Sequence, residues 1–163
     1  MKILSILFMR RKRNYKRDIL SDIRYESLAL ARFINYLMQD GKKSTAERVV
    51  YDALDAVATE TKKDPMEVFD KALENASPVF EVVSKRVGGA NYQVPREVRP
   101  DRKFFLGCKW MIEAAQSSKG KPMAKRLAAE LIAAYNNDGA AIRKKQNVHK
   151  MAEANRAFAH FAR

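Results

Sequence analysis

The 163-residue chain has a single cysteine, Cys108, and this scarcity excludes several kinds of chemistry. One thiol allows neither an internal disulfide nor a cysteine-based metal cluster, and it suits a reducing compartment. Cys108 lies on the apolar face of a predicted helix, where a buried, unreactive thiol is the usual case. The sequence therefore predicts no cysteine chemistry.

Histidine is almost as scarce, and the groupings that catalysis needs are missing. The two histidines, His149 and His160, are eleven residues apart with no acid at metal-ligand spacing. No nucleophile–base–acid set can be assembled. The turn at 41–44 fails as a phosphate-cradling loop, because Lys43 stands where Ser or Thr must follow the lysine. The sequence predicts no enzyme, no metal, no cofactor and no small-molecule substrate.

Long apolar runs are also missing: none approaches the roughly 20 residues that a membrane-spanning helix needs. Residues 1–8 look like the start of a signal peptide, but arginines rather than a small-residue cleavage site follow them. Met9 stands directly before those arginines and is a candidate initiator. We hypothesise that residues 1–8 are an upstream extension or a start-site artefact. N-terminal mass spectrometry of the native protein tests this, and a mature chain beginning at Met1 refutes it.

Acidic side chains are scarce at both ends of the chain. Residues 1–20 hold seven basic and one acidic side chain and residues 117–163 hold ten and three, whereas residues 21–80 hold eight and eleven. The net charge is +13, and its segregation is the electrostatic footprint of a phosphate-binding face. A membrane surface is also anionic, but the basic segment has no apolar face and the helices bury theirs against one another.

The most basic segment is residues 10–17. Six of its eight residues are cationic, none is acidic, and no apolar periodicity would seat it on a core. It indicates an arm for nucleic acid, with a solvated tail as the alternative. Tyr15 is a candidate for stacking on a base. The predicted RNA-binding residues of this arm are Arg10, Arg11, Lys12, Arg13, Lys16 and Arg17.

Apolar residues recur at helical spacing almost everywhere after residue 27 and predict six helices. The first should end with Gly41 as its C′ residue. The others should start at Ser44 or Thr45, at Asp64-Pro65, near Pro100, at Lys121-Pro122 and near Ala140.

The sixth helix should run to His160, with a weak point near Asn147. We expect Met151, Ala154, Phe158 and Phe161 to face the core. The cations Arg143, Lys144, Lys145 and Lys150 should face outward. Trp110, on the fourth helix, is expected in the core.

The pattern changes to β between the third and fourth helices. Two β-rich runs, 79–87 and 92–98, flank a Gly-rich turn and predict a ribbon. Pro95 is allowed because both strands of a lone ribbon are edges. Such a ribbon would reach roughly 25 Å at about 3.3 Å per residue, and it is marginal in water unless something anionic supports it. Tyr92 is a second candidate for base stacking.

The predicted fold class is mainly α. A bundle-like body of six helices carries a protruding two-stranded β-ribbon at about 79–98, between helices three and four. Residues 1–20 form a basic N-terminal extension, and residues 21–163 form a single domain.

Three runs of sequence point to a family: DGKKSTAE at 40–47, RVGGANYQVPREVRP at 86–100 and VHKMAEANRAFAH at 148–160. They closely resemble the bacterial form of ribosomal protein seven of the small subunit, and the resemblance covers residues 9 to about 161 in order. It implies a cytoplasmic, primary 16S rRNA-binding protein that nucleates assembly of the 3′ major domain, the head. It also implies a ribbon near the exit-site tRNA and the mRNA path. The implied protein partners are the head ribosomal proteins and ribosomal protein eleven of the platform.

The resemblance and the charge pattern together give a set of candidate RNA contacts. The ribbon tip expected near tRNA and mRNA comprises Gly88, Gly89, Ala90, Asn91 and Tyr92. The predicted RNA-binding cations outside the arm are Lys42, Lys43, Lys85, Arg86, Arg96, Arg99, Arg102, Lys103, Arg143, Lys144, Lys145 and Lys150.

The chain departs from the family pattern at several positions. Ser21 replaces a frequent proline, Glu26 replaces the usual glycine, and the run at 104–109 is more aromatic than usual. Gln146-Asn147 replaces an acidic pair, and the end lacks the usual aromatic–Arg–Trp finish. The alternative function is a free nucleic-acid-binding regulator, such as a nucleoid protein or a translational repressor.

Overall fold

A computed structural model describes residues 19–162, and the predicted arm at 10–17 lies outside that range. The described part confirms the predicted fold class: a helical body carries an antiparallel ribbon between its third and fourth helices. The elements are α1 (Leu28–Leu37), α2 (Lys43–Thr61), α3 (Pro65–Ala76), β1 (Phe80–Val87), β2 (Ala90–Glu97), α4 (Pro100–Ser117), α5 (Met123–Tyr135), α6 (Ala140–Ala154) and a 3-10 helix (Arg156–Ala162).

The core lies where the apolar stripes of the helices meet. Phe33 of α1 and Phe69 of α3 are no more than 1% exposed and pack edge to face, with ring centroids 5.4 Å apart. Such a pair adds roughly 0.5–1.5 kcal/mol beyond its area burial. Cys108 and Trp110 of α4 are buried, as predicted. Burial raises the pKa of the Cys108 thiol to about 12, which keeps it protonated and unreactive.

The structure confirms one of the predicted helix ends and contradicts two others. Asp64 caps α3 as predicted, since its carboxylate accepts from the Met66 N–H at 3.1 Å. The prediction for Gly41 was wrong: α1 ends at Leu37, and Met38 turns extended while its side chain packs on the core. Gly41, at φ +73°, lies instead in the turn before α2. The predicted cap at Ser44 or Thr45 was also wrong, because α2 starts at Lys43 without a side-chain cap.

The end of the chain differs most from prediction. Helix α6 passes through Asn147 unbroken and stops at Asn155, whose side-chain amide donates to the Met151 carbonyl at 2.8 Å. Met151, predicted to face the core, is 50% exposed, and Ala154 is exposed, whereas Ala152 is buried. The buried stripe is displaced because α6 packs on the ribbon as well as on α4. The 3-10 helix replaces the last predicted turns and partly buries Phe158 and Phe161.

The ribbon turns on two residues. The register pairs Val87 with Ala90, so only Gly88 and Gly89 form the turn, with φ of +56° and +91°. Positive φ at both central positions belongs to a turn that matches the twist of the strands, and glycine adopts it without steric cost. The strands therefore extend further toward the tip than predicted. Both the α6 helix and the 3-10 helix pack against the ribbon.

The first described residues are fixed to α2 by a polar network. The Asp22 carboxylate, 6% exposed, accepts from the Tyr51 hydroxyl at 2.6 Å and from the backbone N–H groups of Arg24 and Tyr25, each at 3.1 Å. The Arg24 guanidinium donates to both oxygens of Asp55, at 3.1 and 2.7 Å. Burial and the hydrogen bond to Asp22 raise the pKa of Tyr51 to about 12. This network therefore fixes the segment before α1 to α2.

Candidate nucleic-acid interface

Two predicted RNA-binding arginines, Arg96 of β2 and Arg102 of α4, converge on the carboxylate of Glu81. Arg96 donates to Glu81 Oε1 from Nε at 2.8 Å and from Nη2 at 2.6 Å, and Arg102 Nε donates to Oε2 at 3.3 Å. Glu81 is 8% exposed, while the two arginine side chains are 54% and 49% exposed. We call these three residues the guanidinium clamp. The carboxylate holds the base of the ribbon to the start of α4 and leaves one net positive charge facing solvent.

Electrostatics around Glu81 favour its charged form. Burial alone would raise the pKa of the carboxyl, but the hydrogen bonds from Arg96 and Arg102 more than offset it and hold the pKa below the ordinary value. The clamp is therefore ionised at neutral pH.

We expect Glu81→Gln to lower the free energy of unfolding by about 1–2 kcal/mol at neutral pH, because the three hydrogen bonds from Arg96 and Arg102 lose the charge of their buried acceptor. The lowered pKa means that the stabilisation is present above the ordinary value of 4.5 and is lost as pH falls through the folded-state pKa. Urea unfolding at several pH values measures this. The free energies of unfolding of the wild type and the variant should become equal in acid.

The matched control for this prediction is Glu60→Gln. Glu60 is exposed on α2 and makes no ion pair with any residue in 19–162. An equal loss of stability in that control contradicts the role given to Glu81. So does a difference in the free energy of unfolding between the wild type and Glu81→Gln that stays the same in acid.

Three cations of α6 are either exposed and beside a carboxylate or half-buried and bonded to the backbone. Lys144 is bonded to Glu113 of α4, and Arg143 lies 3.5 Å from Asp138. Lys145, predicted to face outward, is instead half-buried and donates to the Asn75 carbonyl at 2.6 Å, which ties α6 to α3. Burial and the nearby Lys103 lower the pKa of Lys145. Lys145 of α6 and Lys103 at the start of α4 are therefore close enough for their charges to interact.

The turn before α2 keeps its cations accessible. Lys42 lies 3.9 Å from Asp40 and Lys43 lies 3.8 Å from Glu47, and the lysine side chains are 71% and 58% exposed. Exposed pairs of this kind contribute at most about 1 kcal/mol. A phosphate could replace the carboxylates at little cost.

The strands next to the ribbon tip contact the 3-10 helix, which the sequence did not predict. Lys85 Nζ donates to the Phe161 carbonyl at 2.6 Å. The Tyr92 ring lies 5.1 Å from the ring of Phe158 and 5.5 Å from that of Phe161, measured between centroids. The tip residues Arg86, Gly88, Gly89, Ala90 and Asn91 are exposed. The 3-10 helix therefore supports the ribbon through Lys85 and Tyr92.

His149 has a structural contact that the sequence did not specify. Its Nε2 accepts from the Val79 N–H at 3.2 Å, and its ring lies 6.3 Å from that of Phe80. Burial, and then the charge of Lys145, lower the pKa of His149. The neutral ring thereby joins α6 to the base of the ribbon.

We expect the wild type to lose stability relative to His149→Gln as pH falls below the ordinary histidine value of 6.5. The folded state takes up a proton less readily than the unfolded chain, so acid favours unfolding, whereas glutamine does not titrate. Urea unfolding between about pH 7.5 and about pH 5.5 measures the difference. The control His160→Gln changes an exposed ring and should follow the wild type. If the free energy of unfolding depends on pH in the same way for the wild type and for His149→Gln, the prediction is wrong.

The structure thus brings together the ribbon base, the start of α4 and the face of α6, while Lys42 and Lys43 lie at the separate α1–α2 turn. Residues 19–162 contain no group of acidic, histidine or cysteine side chains that could hold a metal ion. None of the helices in the same range has the length and apolar character needed to cross a bilayer.

Known proteins are similar in sequence to this chain over most of its length. A model of the family described as ribosomal protein S7p/S5e matches residues 9–156. A protein named small ribosomal subunit protein uS7 from Chloroflexus aggregans is 57% identical over 148 residues, which are 91% of this chain and 94% of the relative. A protein of the same name from Thermotoga petrophila is 54% identical over 153 residues, which are 94% and 99% of the two chains. Another, from Marinobacter nauticus, is 53% identical over 152 residues, 93% and 97%.

Proposed function

The chain belongs to the ribosomal protein S7p/S5e family, and from this membership we propose that it binds 16S rRNA directly and nucleates assembly of the head of the small ribosomal subunit. Its role in the cytoplasmic ribosome is structural rather than catalytic. The family match covers the ribbon and all six α-helices and extends back over the predicted arm.

The guanidinium clamp carries the proposal. Arg96 and Arg102 are fixed by a buried carboxylate and remain half exposed, so a phosphate can meet guanidinium groups that are already ordered. Ordering side chains in advance lowers the entropic cost of binding. Arginine has five donors, so N–H groups not used by Glu81 can bind a phosphate oxygen. Recognition by phosphate neutralisation and by shape is how folded RNA is usually bound.

The family supports a second part of the proposal, which concerns position in the ribosome. The ribbon tip lies near the exit-site tRNA and the mRNA path. The protein neighbours are head proteins and, across the cleft, ribosomal protein eleven of the platform. The two-glycine turn suits such a place, because it keeps the tip narrow and its backbone exposed.

Competition between nucleic acids tests the function. The chain is bound to a labelled head fragment of its cognate rRNA and is challenged with unlabelled fragment or with duplex DNA at one fixed salt concentration. We expect the rRNA fragment to compete better by on the order of a thousandfold, the lower range of specific recognition. Equal competition by duplex DNA contradicts the ribosomal role and favours a free nucleic-acid-binding regulator.

A further inference from the structure

A cleft of about 540 Å³ lies between the base of the ribbon, α6 and the 3-10 helix. The contact between His149 and the Val79 N–H fixes one wall in place. The Phe80 ring, 46% exposed, is available at the surface of the cleft. The apolar lining consists of Phe80, Pro95, Ala152 and Ala159.

The charges of this cleft differ from those of the chain as a whole. The carboxylates of Glu97 and Glu153 line it, and neither forms an ion pair with any residue in 19–162. Of the two arginines in the lining, Arg96 is committed to Glu81, which leaves Arg156 as the lining cation without an ion pair in the same range. Although the chain carries +13 overall, the unpaired charges of the cleft therefore sum to −1.

We propose that this cleft, which we call the ribbon-base cleft, docks a short basic segment of a neighbouring protein. An apolar side chain of that segment packs on Phe80 and Ala159, and its lysine or arginine side chains pair with Glu97 and Glu153. Arg156 then faces a carbonyl or carboxylate of the same segment. An apolar centre with a polar rim is the usual composition of a protein interface.

Charge complementarity selects protein over nucleic acid as the occupant. A phosphate chain entering the cleft would meet two carboxylates and only one arginine without an ion pair in 19–162, and like charges in contact are costly. Glu97 and Glu153 are exposed, so pairing with a basic segment requires little desolvation. The inference goes beyond the rRNA-binding role, because it assigns a surface and a chemistry to a protein partner; of the guanidinium clamp, only Arg96 also lines the cleft.

A charged peptide probes the cleft directly. The full chain is titrated with the heptapeptide Lys-Leu-Lys-Phe-Lys-Leu-Lys while NMR follows the His149 ring and the Ala152 methyl group. Because the chain carries +13, it repels this peptide over most of its surface, so binding reports a local acidic site. We expect saturable shifts of the His149 and Ala152 signals, and weaker binding of the charge-reversed peptide Glu-Leu-Glu-Phe-Glu-Leu-Glu at the same signals.

Charge variants distinguish binding of the peptide in the cleft from nonspecific electrostatic attraction to the chain. Glu97→Gln with Glu153→Gln should weaken binding of the lysine peptide by about threefold to tenfold, as expected for two exposed charge pairs. Asp52→Asn with Glu60→Gln makes the same change in net charge on α2 and should leave binding unchanged. Ala159→Trp, at an exposed position of the 3-10 helix, should fill the cleft and abolish binding.

Three results overturn the proposal: absence of shifts at His149 and Ala152, equal loss in the α2 control, or binding of the single-stranded RNA hexauridine at these signals in place of the lysine peptide. The rRNA affinity of each variant is measured in parallel. A wild-type chain that binds rRNA but not the lysine peptide therefore overturns this inference alone, whereas loss of peptide binding in the cleft variants with intact rRNA affinity supports it.

Discussion

Replacing Arg10, Arg11, Lys12 and Arg13 together by alanine is expected to lower the affinity for the rRNA head fragment by about a thousandfold near 0.1 M salt. Each phosphate contact contributes about −0.7 to −0.9 to the slope of log affinity against log salt, so losing four should flatten that slope by about three. Filter binding or fluorescence anisotropy over a range of salt concentrations measures both quantities. The helical circular dichroism should not change, because the helices and the core cluster of the described range are built from residues 28–162.

The matched control removes four cations for which we predict no RNA contact. Lys62, Lys119, Lys121 and Lys125 are exposed and make no ion pair with any residue in 19–162, and their replacement by alanine changes the net charge equally. We expect this variant to keep nearly the wild-type salt slope. Equal slopes in the two variants, or lost helicity in the arm variant, would falsify the assignment of the arm.

Shortening the ribbon is expected to have the second-largest effect, and it should separate assembly from tRNA contact. Replacing residues 86–91 by Asn-Gly leaves Lys85 and Tyr92 on either side of a two-residue turn, a sequence strongly favoured for such turns. The contacts of Lys85 and Tyr92 with the 3-10 helix are retained. We expect unchanged head assembly and about tenfold weaker tRNA retention at the exit site, as for the loss of one phosphate contact.

Reconstituted small subunits provide the measurement for this variant. Head assembly is followed by chemical probing of the rRNA, and tRNA retention by release of labelled tRNA from the exit site. Arg86→Ala, which keeps the full ribbon, is the control and should show only part of the tRNA effect. A head that fails to assemble with the shortened ribbon contradicts the division of labour between body and tip.

Regular features were predictable because neighbouring residues determine them. Periodicity located all six helices, and the β-rich runs around Gly88 and Gly89 located the ribbon. The errors at Gly41 and Met151 arose where packing between elements decided the outcome. A helix that contacts both a ribbon and another helix buries a different stripe from one that contacts a single partner, and periodicity alone cannot show which applies.

The candidate site was predictable in composition but not in geometry. Arg96 and Arg102 were predicted from charge, but their carboxylate partner lies 15 and 21 residues away in the chain. A sequence signal did exist, since Glu81 interrupts an otherwise apolar start of β1. Lys145 was mistaken for a surface cation because its carbonyl partner, Asn75, is 70 residues distant.

One departure from the family pattern gains a physical explanation. Glu26 stands where the resemblance indicates glycine, and its φ is +51°, in the left-handed region that side chains other than glycine, asparagine and aspartate rarely adopt. Glu26 therefore holds a backbone conformation that glycine adopts without steric cost. The Asp22 network and the Arg24–Asp55 pair fix the residues directly before it to α2.

A density map of small subunits purified from the native cell will show whether and where this chain contacts rRNA. We expect the chain in the head, with the arm residues 10–17 and the exposed guanidinium groups of Arg96 and Arg102 against rRNA phosphates. Subunits that lack the chain, or a chain whose arm and guanidinium clamp face solvent away from RNA, contradict it.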